Sequence, residues 1–131
     1  MKVGMYIRGN YYQYRGKIGI IIKNYHNDLE IAYKDGVIKT TVSDFIDDNF
    51  DKNGQQYKTS FNIIDLIEVG DYVNGKEVLN ISEFKDGSRY IEFDEGRYLC
   101  KNYQIESIVT KAQFESIKYE VKNDQINFKY F

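Results

Sequence analysis

Apolar and polar residues are arranged along the first forty positions in the short segments that are typical of β-strands. The longest apolar run, Ile-Gly-Ile-Ile-Ile at positions 18–22, predicts a strand buried on both faces. His26, Asn27 and the Asp35-Gly36 pair supply turn residues between such segments. The pattern therefore predicts antiparallel strands at residues 3–8, 17–25, 29–33 and 37–42.

The second half of the chain contains the clearest hairpin signal. Asn74-Gly75 is the pair most able to adopt positive φ at both central positions of a two-residue turn, and apolar residues flank it on both sides. Another hairpin is predicted at residues 119–131 around Asn123-Asp124. Short helices are predicted after Ser43-Asp44 and after Thr110, which has Gln113 at the capping-box spacing.

Composition favours strands over helices. The 131 residues include 13 tyrosines and 8 phenylalanines but no proline or tryptophan, and alanine and leucine are scarce. We expect a mainly β fold with minor α: a small antiparallel SH3-like barrel, or a two-lobed β-sheet fold with one or two short helices. The length fits residues 1–131 as a single domain. The polar stretch 51–60 suggests two β lobes, residues 1–60 with a Tyr-rich hairpin and residues 61–131.

A short internal repeat accompanies this organisation. Val-Gly-Met-Tyr-Ile at positions 3–7 matches Val-Gly-Asp-Tyr-Val at positions 69–73, and a Gly-Lys pair follows in both copies. The first copy has about eight additional residues at its hairpin tip. As a true duplication, the repeat predicts two small SH3-like barrels.

The residues that carry common chemistries are mostly missing from the sequence. His26 is the single histidine, Cys100 is the single cysteine, and no phosphate-binding glycine loop is present. Residues 49–54 resemble the start of a calcium-binding loop, but the twelfth position is Ser60 instead of glutamate. We therefore predict no catalytic residues, no metal site and no cofactor. The lone cysteine, the lack of a signal peptide and the lack of an apolar membrane span predict a cytoplasmic protein.

The residues at positions 8–17, which we call the Tyr/Arg loop, are the most suggestive binding feature. Tyrosines between cationic side chains can stack on nucleobases while the cations meet phosphates. The same residue types anchor protein–protein interfaces, and a third interpretation is that the tyrosines only pack within the protein. The predicted partner-binding residues of this loop are Arg8, Tyr11, Tyr12, Tyr14, Arg15 and Lys17.

Charge is distributed unevenly along the chain. Residues 1–27 carry five basic residues and no acidic one, whereas the whole chain has a net charge of −2. An acidic set follows the predicted strands and fits either a solvated edge or a surface that faces a basic partner. The acidic residues predicted to bind a partner are Asp44, Asp47, Asp48 and Asp51.

Two blocks of the second half resemble a group of short proteins encoded by phages and prophages of low-GC Gram-positive bacteria. Residues 62–75 read Asn-Ile-Ile-Asp-Leu-Ile-Glu-Val-Gly-Asp-Tyr-Val-Asn-Gly. Residues 105–117 read Ile-Glu-Ser-Ile-Val-Thr-Lys-Ala-Gln-Phe-Glu-Ser-Ile, and Tyr-Glu-Val follows at 119–121. The Tyr/Arg loop departs from the pattern of that group.

The resemblance implies a setting in which small proteins act by binding. We expect a non-enzymatic phage protein that inhibits a host defence complex in the manner of anti-CRISPR proteins, with a nucleic-acid-guided nuclease as one possible target. Two alternatives stay open. One is a nucleic-acid-binding module that uses the basic N-terminal residues, and the other is a structural or assembly protein of the phage. No membrane partner is expected.

Overall fold

The structure is a computed structural model that describes residues 1–115. The chain divides into two compact units, Met1–Leu66 and Ile67–Phe131, and each is described by itself. The predicted lobes, residues 1–60 and 61–131, stay a prediction of domain organisation. The hairpin predicted around Asn123-Asp124 lies outside the described residues, as do positions 116, 117 and 119–121 of the two sequence blocks at 62–75 and 105–121.

Unit 1 is built on a five-stranded antiparallel sheet. Its hairpins follow the predicted turns, and His26 and Asn27 adopt the positive φ values that a two-residue hairpin turn requires. The strands in sheet order are β4 (Gly36–Thr41), β3 (Asp28–Tyr33), β2 (Ile18–Tyr25), β1 (Tyr6–Gly9) and β7 (Tyr57–Ser60). The small hairpin of β5 (Phe50–Asp51) and β6 (Gly54–Gln55) forms a separate sheet.

The core of unit 1 lies on one face of this sheet. Alternate residues of β1, β2 and β3 point inward and are buried, and Phe45 of the helix α1 (Val42–Asp48) packs with them. The helix begins one residue after Thr41, whose Oγ1 accepts a hydrogen bond from the N–H of Asp44 at 3.0 Å. The N-cap is therefore Thr41 and not the predicted Ser43-Asp44 pair.

The apolar run in β2 is buried on one face only, so the prediction of burial on both faces is wrong. Ile21 is fully buried, whereas Ile20 and Ile22 are exposed. Strand side chains alternate between faces, and the core cluster that includes Phe45 packs around Ile21. The continuous apolar run thus places Ile21 on the buried face of the sheet and Ile20 and Ile22 on its exposed face.

The described part of unit 2, residues 67–115, contains shorter strands in two sheets. One sheet contains β13 (Ile108–Val109), β8 (Tyr72–Val73) and β9 (Lys76–Glu77), and the other contains β10 (Asn80–Glu83), β11 (Arg89–Glu92) and β12 (Tyr98–Leu99). Within residues 1–115 the structure also contains four short 3-10 helices: Tyr12–Tyr14, Ile63–Leu66, Asp94–Gly96 and Asn102–Gln104. A second helix occupies residues 111–115 at the end of the described chain.

Two local predictions in unit 2 are confirmed. Asn74 and Gly75 have φ values of 52° and 81° and join β8 to β9 as a two-residue hairpin turn. The backbone N–H of Thr110 donates to Gln113 Oε1 at 2.9 Å, and the N–H of Gln113 donates to Thr110 Oγ1 at 3.3 Å. This reciprocal pair is the predicted capping box.

Within unit 2, the buried carboxylate of Asp71 connects residues of the two sequence blocks, 62–75 and 105–117. Its Oδ2 accepts a hydrogen bond from the N–H of Glu68 at 2.8 Å, and its Oδ1 accepts one from the N–H of Lys111 at 2.9 Å. The Lys111 Nζ also lies 2.8 Å from Glu68 Oε1. The ring of Tyr72 stacks on Phe114 with centroids 4.2 Å apart. Residues of the two blocks therefore stabilise each other.

The predicted fold class, mainly β with minor α, is confirmed. Within residues 1–115 every paired strand is antiparallel, and no sheet closes into a barrel. The SH3-like barrel is therefore wrong for this part of the chain. The described residues also contain no helix that is long and apolar enough to cross a membrane.

Both units nevertheless open with the same turn. In unit 1, Met5 N–H donates to Lys2 O, and Gly4 has φ of 92°. In unit 2, Asp71 N–H donates to Glu68 O, and Gly70 has φ of 96°. The next hydrogen bonds also correspond. In unit 1 the N–H of Gly4 donates to the Ile21 carbonyl, and the N–H of Ile21 donates to the Met5 carbonyl. In unit 2 the same two bonds join Gly70 to Val78 and Val78 to Asp71. The repeated sequence thus corresponds to a repeated backbone geometry.

Candidate interaction surface

The Tyr/Arg loop connects β1 to β2 and is held in place by hydrogen bonds to the side chain of Asn49. The backbone N–H groups of Asn10 and Tyr11 donate to Asn49 Oδ1 at 3.1 and 3.3 Å. Asn49 Nδ2 in turn donates to the carbonyl of Phe45 at 3.0 Å, and the Asn49 side chain is fully buried. A Cβ at Gly9 would lie only 2.8 Å from Asn49 Oδ1, so glycine is needed for this close approach.

A second attachment joins the loop to the predicted acidic set. The hydroxyl of Tyr11 donates to Asp51 Oδ2 at 2.5 Å, while Asp51 Oδ1 accepts from the N–H of Asn53 at 2.7 Å. The hydrogen bond from Tyr11 is the main cause that lowers the pKa of Asp51, and the same bond raises the pKa of Tyr11. The structure therefore brings Tyr11 and Asp51 together as one polar contact.

Two of the predicted partner-binding residues lie in the interior. Tyr14 is fully buried, and its ring packs edge-on against Phe45 with centroids 4.7 Å apart. Arg8 is only 4% exposed, and its guanidinium donates to the carbonyl of Leu66 at 3.0 Å. Tyr14 belongs to the core cluster, and the Arg8 guanidinium is buried beside the Leu66 carbonyl, so neither side chain is available to a partner on this surface. We leave both residues out of the candidate site.

Of the predicted partner-binding residues in the loop, Tyr12 and Arg15 are the exposed ones. Tyr12 is 77% exposed and adopts φ of 54°, a left-handed conformation that is uncommon for tyrosine. Arg15 is also exposed, and its backbone forms a parallel bridge with Gly9. The loop thus presents an aromatic ring and a guanidinium three residues apart on a backbone that is held in place.

Two other cations near the N-terminus, Lys17 and Lys23, contact acids within unit 1. Lys17 Nζ lies 3.1 Å from Asp35 Oδ2 and 5.5 Å from the centre of the Tyr33 ring. This hydrogen bond is the main cause of the lowered pKa of Asp35. Lys23 Nζ lies 3.6 Å from Glu30 Oε2. Two of the five basic residues in positions 1–27 are therefore paired with acids of the neighbouring strands.

The remaining acidic residues of the predicted set lie on α1. Asp44 occupies its first turn, Asp47 is exposed, and Asp48 is half-buried at its last position. Asp51 alone contacts a side chain of the Tyr/Arg loop. Within residues 1–115 no group of three or more His, Cys, Asp or Glu side chains is arranged to hold a metal ion.

Asn49 is the residue that sequence reasoning missed. Its partners Asn10 and Tyr11 are 39 and 38 positions away, so no local spacing signals the contact. The only sequence signal is a polar residue directly after a short helix, which is also typical of an ordinary C-cap.

The candidate site therefore consists of the exposed side chains Tyr12 and Arg15, supported by Asn49 and by the Tyr11–Asp51 contact. Comparison of the chain with protein-family models, with curated proteins and with solved structures gives no match in any of the three.

Proposed function

We propose that the Tyr/Arg loop binds a protein partner and that the protein acts by binding without catalysing a reaction. The observation that supports this most directly is that hydrogen bonds to Asn49 hold the backbone of the loop in place. Asn49 accepts two backbone hydrogen bonds at its base, while Tyr12 and Arg15 remain exposed. Tyrosine and arginine are enriched among the residues that dominate interface energies. A loop that is ordered before binding also loses less conformational entropy on association.

The partner that fits the sequence resemblance is a host defence complex. In this proposal the protein is made by a phage, acts in the host cytoplasm and inhibits its target in the manner of an anti-CRISPR protein. A nucleic-acid-guided nuclease suits the chemistry, because such a target has basic surfaces that bind nucleic acid. The acids Asp47 and Asp48 on α1, with Asp51 nearby in sequence, offer negative charge to such a surface.

Binding of nucleic acid by the N-terminal basic residues is less well supported. That alternative needs several cations to neutralise phosphates. Arg8 is buried, and Lys17 and Lys23 each contact a carboxylate of the neighbouring strands. Arg15 is left as the exposed cation of the loop, which favours a protein interface over a phosphate-binding one.

The test is a protection assay in a low-GC Gram-positive host whose guided nuclease destroys an incoming plasmid. Expression of the wild-type protein is expected to restore transformation. The double variant Y12A/R15A is expected to lose protection while it keeps the wild-type melting temperature, because both side chains are exposed. Y25A is the matched control, since Tyr25 is an exposed tyrosine of β2 outside the loop.

The outcomes separate the alternatives. Full protection by the double variant would refute the role of the loop. A lack of protection by the wild-type protein against each guided nuclease tested would refute the defence-complex target. Binding of the purified protein to DNA or RNA at low salt that Y12A/R15A abolishes would support the nucleic-acid alternative instead.

A further inference from the structure

The outer face of the β10–β11–β12 sheet carries three aromatic side chains in contact. Ser82 pairs with Tyr90, and Glu92 pairs with Tyr98, so these four residues lie on the same face. The Tyr90 ring contacts Phe84 at a centroid distance of 4.6 Å and Tyr98 at 5.5 Å. We call Phe84, Tyr90 and Tyr98 the aromatic ladder.

The ladder is open to solvent. Phe84 is 52% exposed and Tyr98 is 58% exposed. The opposite face of the sheet is the buried one, because Ile91 is fully buried there and pairs with Ile81 and Leu99. The packing of unit 2 therefore uses one face of this sheet and leaves the aromatic rings on the other.

Exposed cations adjoin two of the ladder residues in sequence. Lys85 directly follows Phe84, Arg97 directly precedes Tyr98, and both are exposed. Lys101 is exposed as well, and its positive charge contributes to the lowered pKa of Asp86, which the hydrogen bonds with Ser88 mainly cause. Of the acids beside the sheet, Glu83 is paired with Arg89 at 3.3 Å on the opposite face from the ladder, whereas Asp86 and Asp94 are exposed.

We infer that the aromatic ladder binds single-stranded nucleic acid. Exposed aromatic rings on a small antiparallel sheet stack on unpaired bases, while nearby cations meet the phosphates. The rings are inclined to each other by 75° and 55°, so they do not form one flat platform. A flexible single strand can orient each base separately, which suits tilted rings better than a stacked duplex does. Phe84 and Tyr98 each take one base in this arrangement.

Glu92 restricts where the phosphates of a bound strand can lie. It lies in the same row as Tyr98, and a carboxylate there repels phosphate. The bases must therefore lie over the ladder, with the phosphates displaced toward Lys85, Arg97 and Lys101. This site goes beyond the proposed function, because it lies in unit 2 and involves none of the residues of the Tyr/Arg loop.

The experiment measures binding of the full chain to fluorescein-labelled oligothymidylate and oligoadenylate by fluorescence anisotropy at low ionic strength. Wild-type protein is expected to bind both, because stacking tolerates any base. F84A and Y98A are each expected to weaken binding about fivefold or more, from a stacking free energy of about 1–3 kcal/mol per base. Y98F is expected to retain binding, since the ring is preserved.

Charge variants provide the second readout. K101A is expected to reduce the dependence of log K on log salt by about 0.7, the value for one lost phosphate contact with a single strand. E92Q is expected to tighten binding about two- to fivefold, because it removes a like charge beside the phosphates. If the ladder instead binds a glycan through Glu92, E92Q weakens binding of the glycan and the oligonucleotides do not bind.

Y103A is the matched control. Tyr103 is 83% exposed and makes no ring–ring contact within residues 1–115, so its removal is expected to leave binding unchanged. No binding of either oligonucleotide by folded wild-type protein overturns the inference. So does equal binding by wild type, F84A and Y98A. Y12A/R15A is expected to retain oligonucleotide binding, so that failure of the ladder and failure of the Tyr/Arg loop are distinguishable.

Discussion

Replacement of Asn49 by alanine is the most direct perturbation of the Tyr/Arg loop. The change removes Oδ1, which accepts the N–H groups of Asn10 and Tyr11, and it removes Nδ2, which donates to the Phe45 carbonyl. The Phe45 carbonyl still accepts the backbone N–H of residue 49 at 3.1 Å. The two N–H groups of the loop are the donors that lose their partner.

The magnitude follows from these three hydrogen bonds. A neutral hydrogen bond contributes about 1 kcal/mol net, and a buried donor without a partner costs about 1–3 kcal/mol. The two loop donors are only partly buried, so water can satisfy them in part. We therefore expect N49A to lower the free energy of unfolding by about 2–4 kcal/mol.

Urea unfolding followed by circular dichroism measures this loss. Amide hydrogen exchange measures its location, because the N–H groups of Asn10 and Tyr11 should lose protection first. N10A is the matched control. The side chain of Asn10 is exposed and only its backbone donates to Asn49, so we expect a change of less than about 0.5 kcal/mol.

Two results would refute this reasoning. One is a loss below about 1 kcal/mol for N49A, since the lost hydrogen bonds alone exceed that value. The other is unchanged exchange at Asn10 and Tyr11 in N49A, because it would mean that the loop is held by other contacts.

Three further predictions concern the two units. Y11F should raise the pKa of Asp51 toward its ordinary value, as measured by carboxyl NMR. Because the pKa of Asp51 is lowered in the folded state, its carboxylate stabilises the fold above the unfolded-state pKa. This stabilisation is lost as the pH falls through the folded-state pKa. An unchanged Asp51 titration would contradict it. G19A should destabilise the protein by about 1–3 kcal/mol in urea, because its Cβ would lie 2.9 Å from the Ala32 carbonyl; wild-type stability would contradict it. D71N should lower the free energy of unfolding by about 1–3 kcal/mol, because an amide group would face one of the two N–H donors. A smaller loss would mean that the site relaxes around the amide.

Local features of the fold were predictable because their causes are local. The Asn74-Gly75 turn depends on two residues that tolerate positive φ, and the Thr110–Gln113 capping box depends on one spacing. The mainly β class follows from alternation and composition in the same way. These signals act within a few residues and do not depend on what the segment later packs against.

The parts that sequence reasoning missed depend on distant contacts. Tyr14 belongs to the same Tyr-rich loop as Tyr12, yet one ring is fully buried against Phe45 and the other is exposed. Composition does not distinguish them, because the difference lies in the path of the loop over the core. The aromatic ladder was missed for a similar reason: Phe84, Tyr90 and Tyr98 come together only through the register of three strands.

The shared opening turn shows how the Tyr/Arg loop is built into the protein. Tyr6 pairs with Ile20 in unit 1, and Tyr72 pairs with Glu77 in unit 2. The next residue of the return segment, Ile21 or Val78, forms the hydrogen bonds with the opening turn. The two hairpins therefore share a base and differ at the tip. The longer tip contributes Tyr14 to the core of unit 1, so its removal would open a cavity beside Phe45. Deletion of the whole loop would remove the proposed binding surface and the core packing of Tyr14 together, so substitutions at its exposed positions are the ones that test the proposed binding alone.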